Sequence, residues 1–491
     1  MKGLRSVADD QTDARGERTL TAETSGPGQA PTMAQQLASF VVQASWDSLS
    51  AAARQALKAR VLDAIGCALG ALGRGPLPAV REQVEEFGGR PLCTLIGGGR
   101  TAPDRAAFYN GAAVRYLDFN DAYLAAGETC HPSDNLAPVL AAAEYAGADG
   151  RAMLTALAVA YQVQCRLSDV APVRAHGFDH TTQGAYAAAA GVARALGLDQ
   201  AATANAVAIA GTAFNALRVS RTGALSNWKG LAYPNTAFGA VHAAFLAKRG
   251  ITGPLEVFEG NKGFMEAIAG SFQIDWPSED LERVRQTSTK AFNAEIHAQS
   301  ALEGMLELRT AEALLPEAIE AIEVDIFDVA FHIIGGGEEG EKRSVVTKEQ
   351  ADHSLPYMLA VALLDGAVGP AQYAPERIVR PDVQGLLQRV VIRPDPALSA
   401  VFPAQMPCRL AVRTNDGRSF SKVKHDYAGF YTRPADWLVL LEKFIVLSRR
   451  IDHGLADEVA SAIEHLDQIA VADLTALLGR VSIKEGASDD G

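Results

Sequence analysis

The sequence predicts a mainly α-helical protein with an α+β part: a large all-helical domain built from both chain ends, with a smaller α+β lid inserted. Three observations predict this. From Met33 to about Ala269 apolar residues recur at three- and four-residue steps. Around Ile274 the pattern changes, and Ile322, Val324 and Ile326 alternate with acids as a half-buried strand does. From Pro434 the helical period returns. The expected division is a disordered tail over 1–32, helical domain over 33–274, lid over 275–427 and returning helices over 428–485.

In chain order, residues 1–32 are rich in Thr, Gly, Asp, Glu and Arg without an apolar core segment, so they read as a polar tail and not a secretory signal. Val61, Ala64, Ile65, Ala68, Leu69 and Leu72 form a broad apolar stripe, ended by Gly73-Arg-Gly-Pro76. Helices are then expected at 78–87, 104–114, 138–145, 151–169, 181–196, 200–217 and 233–249, many rich in alanine and glycine. In the lid, helices at 295–310 and 353–364 flank short β-runs, and Asp416-Gly417 turns a hairpin within 410–420. Helices at 437–447, 458–466 and 471–478 close the chain.

The composition narrows the function. The 491 residues carry a formal charge of −13, which opposes nucleic-acid binding, where a basic surface must displace counterions. The five cysteines are scattered without a CxxC pair, which fits reduced thiols in a cytoplasmic protein. No apolar run has the length of a membrane span.

Chemistry-bearing residues concentrate in Tyr116–Asp134, where Asp118, Asp121, His131 and Asp134 interrupt two alanine-rich helices. Unpaired carboxylates in such a context are costly, so the cluster is a candidate site. His131 with Asp118 and Asp121 also suits a metal, whereas Ser133 and Asp134 read as helix caps. His176 and His180 have i,i+4 spacing, but Gly177 opposes a zinc-binding helix. Thr181 and Thr182 read as caps, with His180 just ahead of an anion-favouring helix N-terminus. Lys229 lies in an apolar turn ahead of a helix, and Lys290 and His297 bracket another helix start. Gly335-Gly-Gly-Glu-Glu-Gly340 matches GxGxxG, yet its glutamates repel a pyrophosphate and no apolar helix follows, so it reads as a flexible loop. Asp352-His-Ser354 has the order of a triad, but sequence neighbours rarely form one; His353 and Tyr357 share a face if helical.

Taken together, Tyr116-Leu-Asp-Phe-Asn-Asp121, His131-Pro-Ser-Asp134, Gly177-Phe-Asp-His-Thr-Thr182, Lys229, Lys290 with His297, and Ala351-Asp-His-Ser-Leu-Pro-Tyr357 leading into Val361–Gly366 resemble the MmgE/PrpD family. That family includes 2-methylcitrate dehydratases, cis-aconitate decarboxylases and iminodisuccinate epimerases, and the resemblance runs from about residue 34 to about residue 447. It implies a homodimer with no required metal or organic cofactor, acting on a small carboxylate between helical domain and lid. It places Asp118, His131, His180, Lys229, Lys290 and Tyr357 in the pocket. Ala122 departs from the threonine often found in the decarboxylase pocket, and the wording around Asp118 and Ala351 is closest to the dehydratases. The implied chemistry needs cations for carboxylates, a base for a C–H and an acid for the leaving hydroxyl. Lys229 and Lys290, with His180, are expected to hold anions. His131 is expected to move a proton with Asp118 as partner, Tyr357 to close the site, and His297 and Asp121 to complete the substrate-facing set. Decarboxylation or epimerisation on the same scaffold, a metal-dependent hydratase and a non-catalytic carboxylate binder are the competing readings.

Overall fold

A computed structural model describes residues 30–484. All but the end of the expected N-terminal tail lies outside the described residues. The fold is mainly α with small sheets. Helices Ala51–Ala71, Pro103–Tyr116, Leu136–Ala146, Gly150–Val170, Thr181–Ala195, Gln200–Ala213 and Trp228–Ala247 carry the expected helical signals. Ser50 caps the first of them by accepting from the Ala53 amide at 3.0 Å, and Ala51–Ala71 is buried over most of its circumference. Its small residues explain the fit: a Cβ added at Gly66 would stand 3.2 Å from the Phe444 ring.

Among the described residues two large apolar cores result, beside a small cluster of Tyr123, Ala125, Cys130 and Cys165. The first joins residues of the N-terminal half, such as Val61, Ile65 and Tyr161, to Leu440, Phe444, Val459 and Leu474 near the C-terminus. The second gathers Ile322, Val324, Tyr357, Leu363, Val390 and Val412. It is built on a four-stranded sheet in the order Val390–Pro394, Ile319–Ile326, Cys408–Thr414, Ser419–Lys424. The first pair is parallel, with Val324 opposite Ile392, and the other pairs are antiparallel. The hairpin turns where predicted: Gly417 has φ 84°, a value open to glycine at no steric cost.

Several local expectations give way. The helix expected to start at Tyr233 starts at Trp228, with Pro234 inside it. In its second turn, proline removes the bond to a single carbonyl four residues back, and the helix forms around it. Lys229 is therefore a first-turn helix residue and not a loop residue. Ser133 and Asp134 do not cap. They sit in a 3₁₀ turn, Pro132–Asn135, and the helix after it has no side-chain cap. Thr181 and Thr182 likewise leave their hydroxyls unbonded, and the helix begins after His180 without a side-chain cap. Ser354 is the N-cap of helix Leu355–Asp365, accepting from the Tyr357 amide at 3.1 Å. His353 thus precedes the helix, and the shared face with Tyr357 does not exist. The glycine-rich loop is not free, since Glu339 is buried and ion-paired with Arg218 and Arg174.

Candidate active site

Between its two helices, Tyr116–Asp134 folds into a miniature hairpin, Tyr123–Leu124 against Thr129–Cys130. Backbone bonds between Ala122 and Ser288, at 2.9 and 2.8 Å, tie it to the strand-like segment that carries Lys290. Residues 118, 131 and 290, far apart in sequence, are thereby brought together.

Asp118 is the hub. Its Oδ1 accepts from Arg115 Nη1 at 2.6 Å and Lys290 Nζ at 2.7 Å, and its Oδ2 lies 3.2 Å from Lys229 Nζ. Lys290 also donates to the Asp118 carbonyl at 2.6 Å. Held at both carboxylate and carbonyl, Asp118 adopts φ 57°, a left-handed value that costs about 1–3 kcal/mol and persists only where the surroundings enforce it. Burial alone would raise the Asp118 pKa; Arg115, Lys290 and Lys229 outweigh it and hold the carboxyl well below the usual range.

A second carboxylate, Asp352, completes the cluster. Its Oδ1 is 2.8 Å from Lys229 Nζ and 2.8 Å from His353 Nδ1, and its Oδ2 is 2.6 Å from Lys348 Nζ. Burial lowers the Lys229 pKa against the pull of Asp352 and Asp118. Asp118, Asp352 and His353 present ligand atoms within 4.8 Å of one another. The Lys229 ammonium already bonds all three, including His353 Nδ1 at 2.9 Å. An ammonium in that position does not suit a divalent ion. The metal set weighed from sequence is not assembled either, because Asp121 and His131 meet through the Asp121 carbonyl and not through its carboxylate.

His131 has different surroundings. Its Nδ1 lies 2.8 Å from the Asp121 carbonyl. A carbonyl can only accept, so Nδ1 carries the proton and Nε2 keeps a lone pair. Nε2 has no protein partner among the described residues, and the ring remains 8% exposed. Burial, then the charges of Arg115 and Lys290, lower its pKa well below 6.5. A neutral imidazole with an unoccupied basic nitrogen is the form a general base needs. The Asp121 side chain fixes this arrangement: it accepts from the Ser133 amide at 3.0 Å and from the Tyr161 hydroxyl at 2.9 Å. It is fully buried, with Arg60 Nε 3.5 Å from its Oδ2.

His180 packs edge-on to His131, with ring centroids 5.4 Å apart. Arg221 Nη2 donates to its Nε2 at 3.2 Å, so Nδ1 bears the proton, and that donor is buried without a partner. Burial and Arg221 bring its pKa down to about 3, although Asp179 pulls the other way. It is a neutral imidazole with an N–H to donate. His297 is held by Glu295 Oε1 at 2.8 Å and reaches Thr129 Oγ1, beside His131, at 3.4 Å. Tyr357 is not brought to the cluster: its hydroxyl donates to the Gln372 carbonyl and its ring packs against Tyr373.

The sequence reading missed Arg115, Lys348, Asp352 and His353 as members of the cluster. Asp352 and His353 were visible as adjacent polar residues before an apolar helix. Arg115 and Lys348 carried no signal, since an arginine in a helix and a lysine in a polar loop are ordinarily solvated. The cavity touching Asp118, Lys229 and Lys348 measures about 10 Å³, room for about one water.

The MmgE/PrpD N-terminal domain matches residues 35–277 and the MmgE/PrpD C-terminal domain residues 292–468. The 2-methylcitrate dehydratase of Cupriavidus necator is 30% identical over 417 residues, 78% of this chain and 83% of the relative. That of Salmonella typhimurium is 31% identical over 419 residues, with the same shares covered. The cis-aconitate decarboxylase of Mus musculus is 26% identical over 469 residues, covering 88% of this chain and 90% of that protein. The two domain matches fall in order and together cover most of the chain, and the chain belongs to the MmgE/PrpD family.

Proposed function

We propose that the protein is a cofactor-independent hydro-lyase that dehydrates 2-methylcitrate, or a closely related tricarboxylate, to the corresponding aconitate. The observation that carries this reading is His131: a neutral imidazole whose Nε2 has no partner among the described residues, beside a buried cluster in which Arg115, Lys229, Lys290 and Lys348 outnumber Asp118, Asp134 and Asp352. His131 Nε2 takes the proton from the carbon next to a substrate carboxylate. The excess positive charge stabilises the negative charge that develops on that carboxylate. The carbon–oxygen bond then breaks, the double bond forms, and the hydroxyl leaves as water after taking a proton from the Lys229–His353 pair. The residues around the second core act as a lid over this site.

Similarity to two 2-methylcitrate dehydratases at about 30% identity supports dehydration. A second reading, decarboxylation of cis-aconitate, is favoured by the longer match to the mouse decarboxylase. Against it, Ala122 is a fully buried methyl group where the decarboxylase pocket often has a hydroxyl. Incubating the protein with 2-methylcitrate, citrate, cis-aconitate and iminodisuccinate, and identifying products by NMR, separates the two; carbon dioxide release from cis-aconitate would reverse the order. We also infer a homodimer. Helix Trp437–Ser448 leaves Leu438, Val439, Ile445 and Val446 exposed, an apolar face of the kind that marks an interface.

A further inference from the structure

Lys342 stands out because nothing in the reaction outlined above uses it. It follows the glycine-rich loop, is only 7% exposed, and its Nζ has no hydrogen-bond or ion-pair partner among the described residues. The side chain is largely enclosed while the ammonium at its end keeps contact with solvent, so it is open to an incoming anion. Its backbone is fixed beside the cluster, because the Lys342 carbonyl accepts from Ser354 Oγ, one residue after His353. The acids whose charge reaches it are Glu339, Glu295 and Asp352, and each already has another partner. Glu339 pairs with Arg218 and Arg174, Glu295 with His297, and Asp352 with Lys229 and Lys348. Lys342 therefore adds positive charge beside Asp352 and Glu295 that no protein carboxylate answers at contact distance.

The loop that carries it explains its placement. Gly336 and Gly340 have φ 102° and 98°, which lets the chain double back after Ile334. Between them Glu339, 3% exposed, joins residues of the second core to Arg174 and Arg218 beside Asp179–His180 in the first. Arg174 Nη2 lies 3.4 Å from Glu339 Oε1. The glycines thus serve a turn and an ion-pair clamp, and not a phosphate cradle.

We propose that Lys342 is the receptor for one carboxylate of the substrate, brought into place by the 335–343 loop and kept there by the Glu339 clamp. This rests on the carboxylate-substrate reading above. Lys229 and Lys290 already hold protein carboxylates, so Lys342 is the lysine of this region with a charge-assisted bond to offer a ligand.

The test compares wild type, Lys342→Met, Lys342→Arg and Glu339→Gln, with folding checked by circular dichroism. Tricarballylate, a tricarboxylate without a hydroxyl to lose, is the probe for thermal stabilisation, and 2-methylcitrate is the probe for turnover. The proposal predicts that Lys342→Met raises KM ~10- to 100-fold, as loss of one charge-assisted hydrogen bond does, with kcat little changed. It should also abolish most of the stabilisation by tricarballylate. Lys342→Arg recovers most of both, and Glu339→Gln moves in the direction of Lys342→Met by a smaller factor. If Lys342→Met does not fold, the arginine and Glu339 variants carry the comparison. Equal stabilisation of wild type and Lys342→Met, or loss of kcat at unchanged KM in both Lys342 variants, would overturn the assignment. A wild type that neither binds nor turns over any of these carboxylates would instead remove the carboxylate reading, and this assignment with it.

Discussion

His131 and Lys229 matched the family pocket equally well in sequence, but the structure gives them different burdens. The basic Nε2 of His131 bonds nothing among the described residues, so removing the ring leaves little unsatisfied there apart from the Asp121 carbonyl. His131→Gln should therefore fold normally and lose ~10²- to 10⁴-fold in kcat, the usual contribution of a positioned base; steady-state kinetics checks this. Lys229 neutralises Asp118 and Asp352 in the interior. Lys229→Met should lower stability by ~3–5 kcal/mol, because it leaves buried charge uncompensated, and denaturant unfolding measures it. Loss of activity in that variant alone would not identify a catalytic role. The pH behaviour follows from the depressed histidines. His180 is neutral when folded down to about pH 3, but protonates near 6.5 when unfolded. The unfolded state then binds the extra proton, so stability falls as pH drops from about 6.5 toward 3. Thermal melts over that window should decline for wild type and less steeply for His180→Gln. By the same sign, the acid limb of kcat/KM set by His131 should lie below pH 6.5.

At the scale of elements, alanine-rich periodicity located the helices because a small-residue face has few alternatives to close helix packing. Gly150 opens its helix against the Leu466 carbonyl, where an added Cβ would sit 1.6 Å away. Gly150→Ala should cost ~1–3 kcal/mol as the contact is forced apart, a loss readable as a lower unfolding midpoint. What sequence could not locate were places where tertiary contacts override local signals. Ser133 and Asp134 have the residue types of caps, but Asn120 donates to both, at 2.9 Å each. Pro234 marked a boundary by its usual behaviour, yet Trp228–Ala247 continues through it. The hairpin at 123–130 is two residues per strand, too short for alternation to register. Motif matching found Asp118, His131, Lys229 and Lys290. It could not foresee that Asp352 and His353 join them, since that depends on how the segment before Leu355 meets Trp228–Ala247.

For the whole molecule, the return of Trp437–Ser448 to the first core was legible as a change of period near Pro434. The two cores meet where charge is concentrated: Asp118 comes from a segment of the first, Asp352 and Lys348 from the second. Lys348 and Asp352 thus meet Arg115 and Lys229, which stand on helices of the first. The exposed apolar face of Trp437–Ser448 predicts a dimer, which light scattering coupled to size exclusion would register as about twice the 51.9 kDa chain mass. Leu438→Asp together with Ile445→Asp should shift that mass to the monomer. The central claim, dehydration driven by His131, is tested most directly by following 2-methylcitrate with the purified protein by proton NMR. Wild type should convert it to 2-methylaconitate while His131→Gln leaves it intact. Full conversion by His131→Gln, or no conversion by wild type alongside carbon dioxide release from cis-aconitate, would contradict the account.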